Sequence, residues 1–184
     1  GVAVRGTELI ATAIGVDGVF RSTNDGSFWS QIMSNFTTFG ANCVAIGGAG
    51  TIFVGTMDQG VLRSTNNGGT WLSSTSLGGI PTFLRFVGTK MFAGTDNGPF
   101  RSTDFGVTWQ PSNTGLSGIT VNFIAIRDTN TLFASTNGSG VYLSSNGGGS
   151  WTPMNTGLPT LYTTSVRVTG SYVYCGTVYH GVWR

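Results

Sequence analysis

Residues 22–29 read STNDGSFW, and the phrase returns as STNNGGTW at 64–71, STDFGVTW at 102–109 and SSNGGGSW at 144–151. The closing residues Trp29, Trp71, Trp109 and Trp151 stand 42, 38 and 42 residues apart. Two further markers keep that period. Ahead of each box lies GVFR (18–21), GVLR (60–63), GPFR (98–101) or GVYL (140–143), and a fifth copy, GVWR, stands at 181–184. Upstream of those come LIATA (9–13), IFVGT (52–56), MFAGT (91–95), LFAST (132–136) and VYCGT (173–177).

Each unit divides into four short apolar segments separated by Gly- and Asn-rich turns. In the second unit they are Cys43–Ile46, Ile52–Thr56, Val61–Ser64 and Thr70–Ser73, here called A to D. Runs of this length with β-branched and aromatic residues are strands. No window carries apolar residues at helical spacing, so no helix is expected. A period near 40 with several strands per unit is that of a β-propeller blade. The fold class is therefore all-β: a propeller of about five blades in one domain, 1–184, with blades near 1–33, 41–75, 82–112, 121–154 and 164–184. A segments are almost continuously apolar and belong innermost, between neighbours; D segments are more polar and belong at the rim. The fifth unit ends on its C segment and lacks an outer strand. Five blades can close a small ring or belong to a longer propeller.

Composition agrees. Hydrophobic residues make up 39% and charged residues only 9%, against roughly 25% charged in a typical soluble domain. Thirty glycines supply the turns. A net charge of +2 without a basic run excludes a nucleic-acid surface, and no apolar stretch approaches the ~20 residues of a membrane helix. Cys43 and Cys175 lie within apolar alternating runs and read as buried free thiols. Two cysteines and one histidine cannot make an ordinary structural zinc site, and no metal or cofactor is expected.

The pattern S-x-[DN]-x-G-x-x-W resembles the Asp-box, or BNR repeat, and the resemblance covers nearly the whole chain. It implies a propeller with each box on the C–D hairpin, as in sialidases, sortilin-type receptors, xyloglucan-cleaving propellers and photosystem II assembly factors. The residues suit a structural role. Ser22, Ser64, Ser102 and Ser144, with Asn24, Asn66, Asp104 and Asn146, can fold a turn onto its own backbone. Gly26, Gly68, Gly106 and Gly148 provide a positive φ, and each tryptophan is a plug between adjacent blades. Three of the four Asx residues are uncharged, which suits turn-making and disfavours calcium.

Function is sought where the repeats disagree. The B–C loops bring Asp17, Asp58, Asp96, Tyr179 and His180 towards one rim. Aligned on the B segment, Ala3, Ile46, Arg85, Ile126 and Arg167 occupy equivalent A-segment places, so Arg85 and Arg167 are exceptions able to reach the channel. The D–A loops add Phe36, Phe39 and Tyr162. The resemblance to sialidases would imply an arginine triad, a Tyr–Glu pair and an FRIP-like segment. FRST stands in its place, and Glu8 is the only glutamate. Hydrolysis of the glucanase type needs two facing carboxylates, which only the rim aspartates could provide. The expectation is a non-enzymatic extracellular or cell-surface module binding protein or glycan, without membrane insertion, within a longer chain or alone. A glycoside hydrolase, or a fragment of one, is the first alternative. An assembly factor using Arg85, Arg127 and Arg167 is the second.

Overall fold

In the computed structural model, which describes residues 1–13, 18–33, 40–48, 50–74 and 77–184, the apolar runs become strands because glycines interrupt them every few residues. The first blade is β1 (Val2–Arg5), β2 (Glu8–Thr12), β3 (Val19–Ser22) and β4 (Ser30–Met33). The second is β5 (Ala41–Ile46), β6 (Ile52–Thr56), β7 (Val61–Ser64) and β8 (Leu72–Ser73). The third is β9 (Pro81–Val87), β10 (Lys90–Thr95), β11 (Gly98–Ser102) and β12 (Gln110–Pro111). The fourth is β13 (Val121–Ile126), β14 (Leu132–Thr136), β15 (Val141–Ser144) and β16 (Thr152–Pro153). The fifth is β17 (Thr163–Thr169), β18 (Tyr172–Thr177) and β19 (Gly181–Trp183).

Every sheet is an antiparallel meander in chain order, four-stranded in the first four blades and three-stranded in the fifth. No helix occurs among the described residues. The fourth strand is shorter than the sequence suggests in the second blade, Leu72–Ser73 where Thr70–Ser73 was expected, because the box turn claims Thr70 and Trp71.

The core lies between blades. Ile10, Val44 and Leu62 join the first two. Phe53, Leu84 and Trp109 join the second and third. Phe92, Ile124 and Trp151 join the third and fourth, and Phe133, Val166 and Cys175 the last two. Phe53, Phe92 and Phe133 hold the same place on β6, β10 and β14 and are among the largest fully buried side chains. Both cysteines are buried free thiols, and desolvation pushes the Cys43 thiol up to about 12.

A β-bulge opens the inner strand of blades two to five, at Asn42, Thr82, Asn122 and Thr164. The bulged side chain reaches the next blade. Asn42 donates to Pro81 O (2.8 Å), Thr82 to Val121 O and Asn122 to Thr163 O (2.7 Å). Inner strands β1, β5, β9, β13 and β17 thus pack in sequence, while β17 and β1 make no substantial contact among the described residues. The five blades form an open arc, not the closed small ring. Val2 and Val4 stand exposed at one end, Tyr172 and Val182 at the other.

Candidate functional site

The four boxes share one geometry. Each serine hydroxyl donates to the Asx Oδ1: Ser22 to Asn24 (2.9 Å), Ser64 to Asn66 (3.0 Å), Ser102 to Asp104 (2.8 Å) and Ser144 to Asn146 (2.9 Å). The same hydroxyl accepts from Gly26, Gly68, Gly106 and Gly148 N–H at 2.8–3.0 Å. The Asx oxygen then accepts the N–H four residues on, at Phe28, Thr70, Thr108 and Ser150. The box glycines have φ between 74° and 91°. The residue before each also has positive φ, although it is Asp25, Asn67 or Phe105 in three copies. Asp104 adds a bond from the Thr108 hydroxyl (2.6 Å). That bond first, with the Thr108 N–H and the Ser102 hydroxyl, lowers the Asp104 carboxyl to about 2.

Trp71 and Trp151 donate to the preceding blade. Trp151 Nε1 donates to Ser112 O (2.7 Å) and Trp71 Nε1 to Ile32 O (3.4 Å). Trp109 is as buried as Trp151, though its Nε1 has no partner among the described residues. Three of the four box glycines, Gly68, Gly106 and Gly148, leave room for a side chain of the preceding blade. A Cβ on Gly106 would stand 2.7 Å from Phe53, and one on Gly148 2.6 Å from Phe92. The boxes are thus blade-joining elements with their polar atoms consumed internally.

The rim residues are dispersed in role. Asp96, in the β10–β11 turn, accepts the Ile80 N–H (2.8 Å) and ties that turn to the segment entering β9. Tyr179 is 98% exposed with φ +70°, and His180 supplies its carbonyl to Trp183 Nε1 (2.9 Å). Asp17, Phe36 and Phe39 lie outside the described residues. None of Asp58, Asp96, Tyr179 and His180 lines a cavity that the inner strands form on the third to fifth blades. A threonine missed in the sequence organises these turns. Thr56, Thr95, Thr136 and Thr177 each donate to the carbonyl of the glycine closing the loop. The signal was the final Thr of four of the five B segments.

Arg85 and Arg167 do come together at that cavity, about 510 Å³, with Phe123, Ala125 and Tyr174. The pairing Phe53–Ala45, Phe92–Arg85, Phe133–Ala125 and Tyr174–Arg167 corrects the alignment. The equivalents of the arginines are Ala3, Ala45 and Ala125, not Ile46 and Ile126. A small residue thus lies between the two arginines and leaves the cavity open. The Arg85 guanidinium stands over the Phe123 ring (5.5 Å). Both arginines are exposed, and neither side chain forms a hydrogen bond or ion pair among the described residues. Arg127 is engaged instead, over Phe133 (5.0 Å) and donating to Ser171 O (3.2 Å).

The carboxylates show the opposite condition. Glu8 lies between Arg5 and Arg21, the latter at 2.8 Å. Burial raises its carboxyl, but the two arginines outweigh that and leave it below the usual range. Asp128 caps its own turn through Asn130 and Thr131 N–H, both at 2.8 Å. No group of three metal-ligating side chains occurs among the described residues, and no helix of the described residues is long and apolar enough to cross a membrane.

No protein-family model matches the sequence, and no curated protein matches it. Solved structures do. YCF48 bound to D1 peptide superposes with TM-score 0.73 and 16% identity over 98% of this chain and 62% of that one. The GH74 xyloglucanase from Xanthomonas campestris gives 0.75 and 16% over 97% and 34%. The extracellular domain of the putative one component system BT4673 from B. thetaiotaomicron gives 0.77 and 14% over 98% and 26%. The chain spans under two thirds of the length of each. It is a β-propeller by fold.

Proposed function

We propose that the chain is a non-enzymatic binding module of Asp-box type, acting outside the cell or at its surface and receiving an anionic protein or glycan group at the channel. The observation that carries this reading is the pair Arg85 and Arg167. They replace alanine in two of five equivalent places, line one cavity and lack carboxylate partners among the described residues. A guanidinium with free donors is suited to a carboxylate, sulfate or phosphate group. Phe123 and Tyr174 add ring faces for a sugar or peptide.

The likeness to xyloglucanases keeps hydrolysis as the competing reading. That chemistry needs two carboxylates across a glycosidic bond. Glu8 is clamped by arginines and Asp96 is tied to the segment entering β9, which favours binding.

Titration against an array of acidic glycans and acidic peptides tests the proposal. Binding should fall at least tenfold in Arg85→Ala and in Arg167→Ala, and weaken with salt. Release of sugar from xyloglucan or sialosides, abolished by Asp96→Asn, would replace it with the hydrolase reading.

A further inference from the structure

The seam between the first and second blades and that between the third and fourth share a register but not a charge balance. In the first seam, Glu8 accepts from Arg5 and from Arg21 Nε (2.8 Å). Arg21 Nη2 also donates to Asn67 Oδ1 of the second blade (3.4 Å). Three acceptor oxygens, two from Glu8 and one from Asn67, thus answer the guanidinium groups. The strand ladders give the equivalents in the third blade. Leu9 pairs with Ser22 and Ile10 with Arg21, as Met91 pairs with Ser102 and Phe92 with Arg101. Lys90 therefore stands in the place of Glu8, and Arg101 in that of Arg21. Asn67, the residue before the box glycine, becomes Gly147 in the fourth blade. Its turn docks alike: Asn67 N–H donates to Gly50 O (2.9 Å) and Gly147 N–H to Asn130 O (2.8 Å).

Both acceptor side chains of the first seam are missing from this one, and a second cation has entered. The Lys90 ammonium lies 3.8 Å from where a Cβ on Gly147 would stand, with Asn130 Oδ1 at 3.8 Å from the same point. Lys90 and Arg101 are half-buried, and neither side chain forms a hydrogen bond or ion pair among the described residues. Asp128, on the adjoining turn of the fourth blade, spends its carboxylate on the Asn130 and Thr131 N–H groups. Blades two and four do not repeat the pair, having Thr51 with Arg63 and Thr131 with Leu143. Like charges on neighbouring strands oppose the sheet unless an anion joins them.

We infer that Lys90 and Arg101 form a binding site for a tetrahedral oxyanion, the phosphate or sulfate ester group of a ligand, at the seam of the third and fourth blades. Such a group presents three terminal oxygens, as many as Glu8 and Asn67 supply in the first seam. The planar guanidinium fork takes two of them, and the ammonium takes the third as a point charge. The site lies on β10 and β11 beside a box turn. Phe92 stands between Arg101 and Arg85 on the ladder, so this site is separate from the channel and does not rest on the function proposed there.

The test titrates the 15N-labelled 184-residue chain with sodium phosphate and with sodium sulfate at constant ionic strength, reading the Gly147 amide resonance. A saturable shift is expected, and the tighter anion names the ester. Affinity should fall about tenfold in Lys90→Gln and in Arg101→Gln, and acetate should bind more weakly than either anion by a similar factor. Lys90→Glu restores the arrangement of Glu8 and Arg21. It should keep a cooperative thermal transition and abolish the Gly147 response. Arg85→Ala should leave that response unchanged, so either site can fail without the other. A Gly147 resonance that saturates with neither anion overturns the proposal. So does affinity undiminished in Lys90→Gln or Lys90→Glu, or acetate binding as tightly as phosphate and sulfate.

Discussion

Trp29 and Trp151 close boxes with matching internal hydrogen bonds, yet Trp29 is 37% exposed and Trp151 only 3%. The first blade has no blade before it among the described residues; the fourth rests on the third. The box turn is therefore a local device, formed by Ser, Asx and Gly within one hairpin wherever the hairpin sits. The tryptophan is different. Its worth depends on a neighbour, because an indole contributes only the apolar surface it removes from water.

This contrast can be broken by mutation. Trp151→Ala is expected to cost about 3–5 kcal/mol, and Trp29→Ala under about 1 kcal/mol, in urea unfolding. Equal losses would mean that the box alone fixes the indole. Gly148→Ala should cost about 2–3 kcal/mol, since its Cβ would stand 2.6 Å from Phe92 and 2.8 Å from the Ser112 hydroxyl. Gly26→Ala meets nothing nearer than Trp29 at 3.7 Å, and should cost about 1 kcal/mol for its positive φ alone. The Asx residue should show no such contrast. Asn24→Ala and Asn146→Ala are each expected to cost about 1–2 kcal/mol, within experimental error of one another. A clear difference would show the staple to be less local than its hydrogen bonds imply.

The smallest effect separates the one acidic box from the three amide boxes. Asp104 sits at about 2 in the folded chain, below roughly 3.9 when unfolded. Its contribution is present above pH ~4 and is lost as pH falls through ~2. Solvent exposure keeps it under about 1 kcal/mol. Stability measured from pH 5 to 2 should fall less steeply in Asp104→Asn, and an unchanged slope would rule the effect out.

Much of the fold is legible in the chain because boxes, B segments and C segments repeat nearly letter for letter, and identical hairpins demand identical turns. The A segments escaped such reading. The turn from β5 to β6 runs from Ile46 to Ile52 whereas that from β9 to β10 runs from Val87 to Lys90. Counting back from the B segment therefore slipped by one residue, and Ile46 and Ile126 were matched to the arginines in place of Ala45 and Ala125. Only ladder pairing resolves that. The bulge residues recur near 40 as well, but as Asn, Thr, Asn and Thr. Geometry asks there for a donor and not for one side chain. The arginines were found as departures from the repeat, but the cavity between them required the intervening Ala125 to be placed.

The bulge bonds all run one way, from each blade's inner strand to the carbonyl that opens the next blade. Their donors face forward along the chain, from the second blade to the third, the third to the fourth and the fourth to the fifth. An array latched like this has a leading and a trailing edge. Tension applied along it meets the latches one after another, as a zip fastener does, and yields a blade at a time.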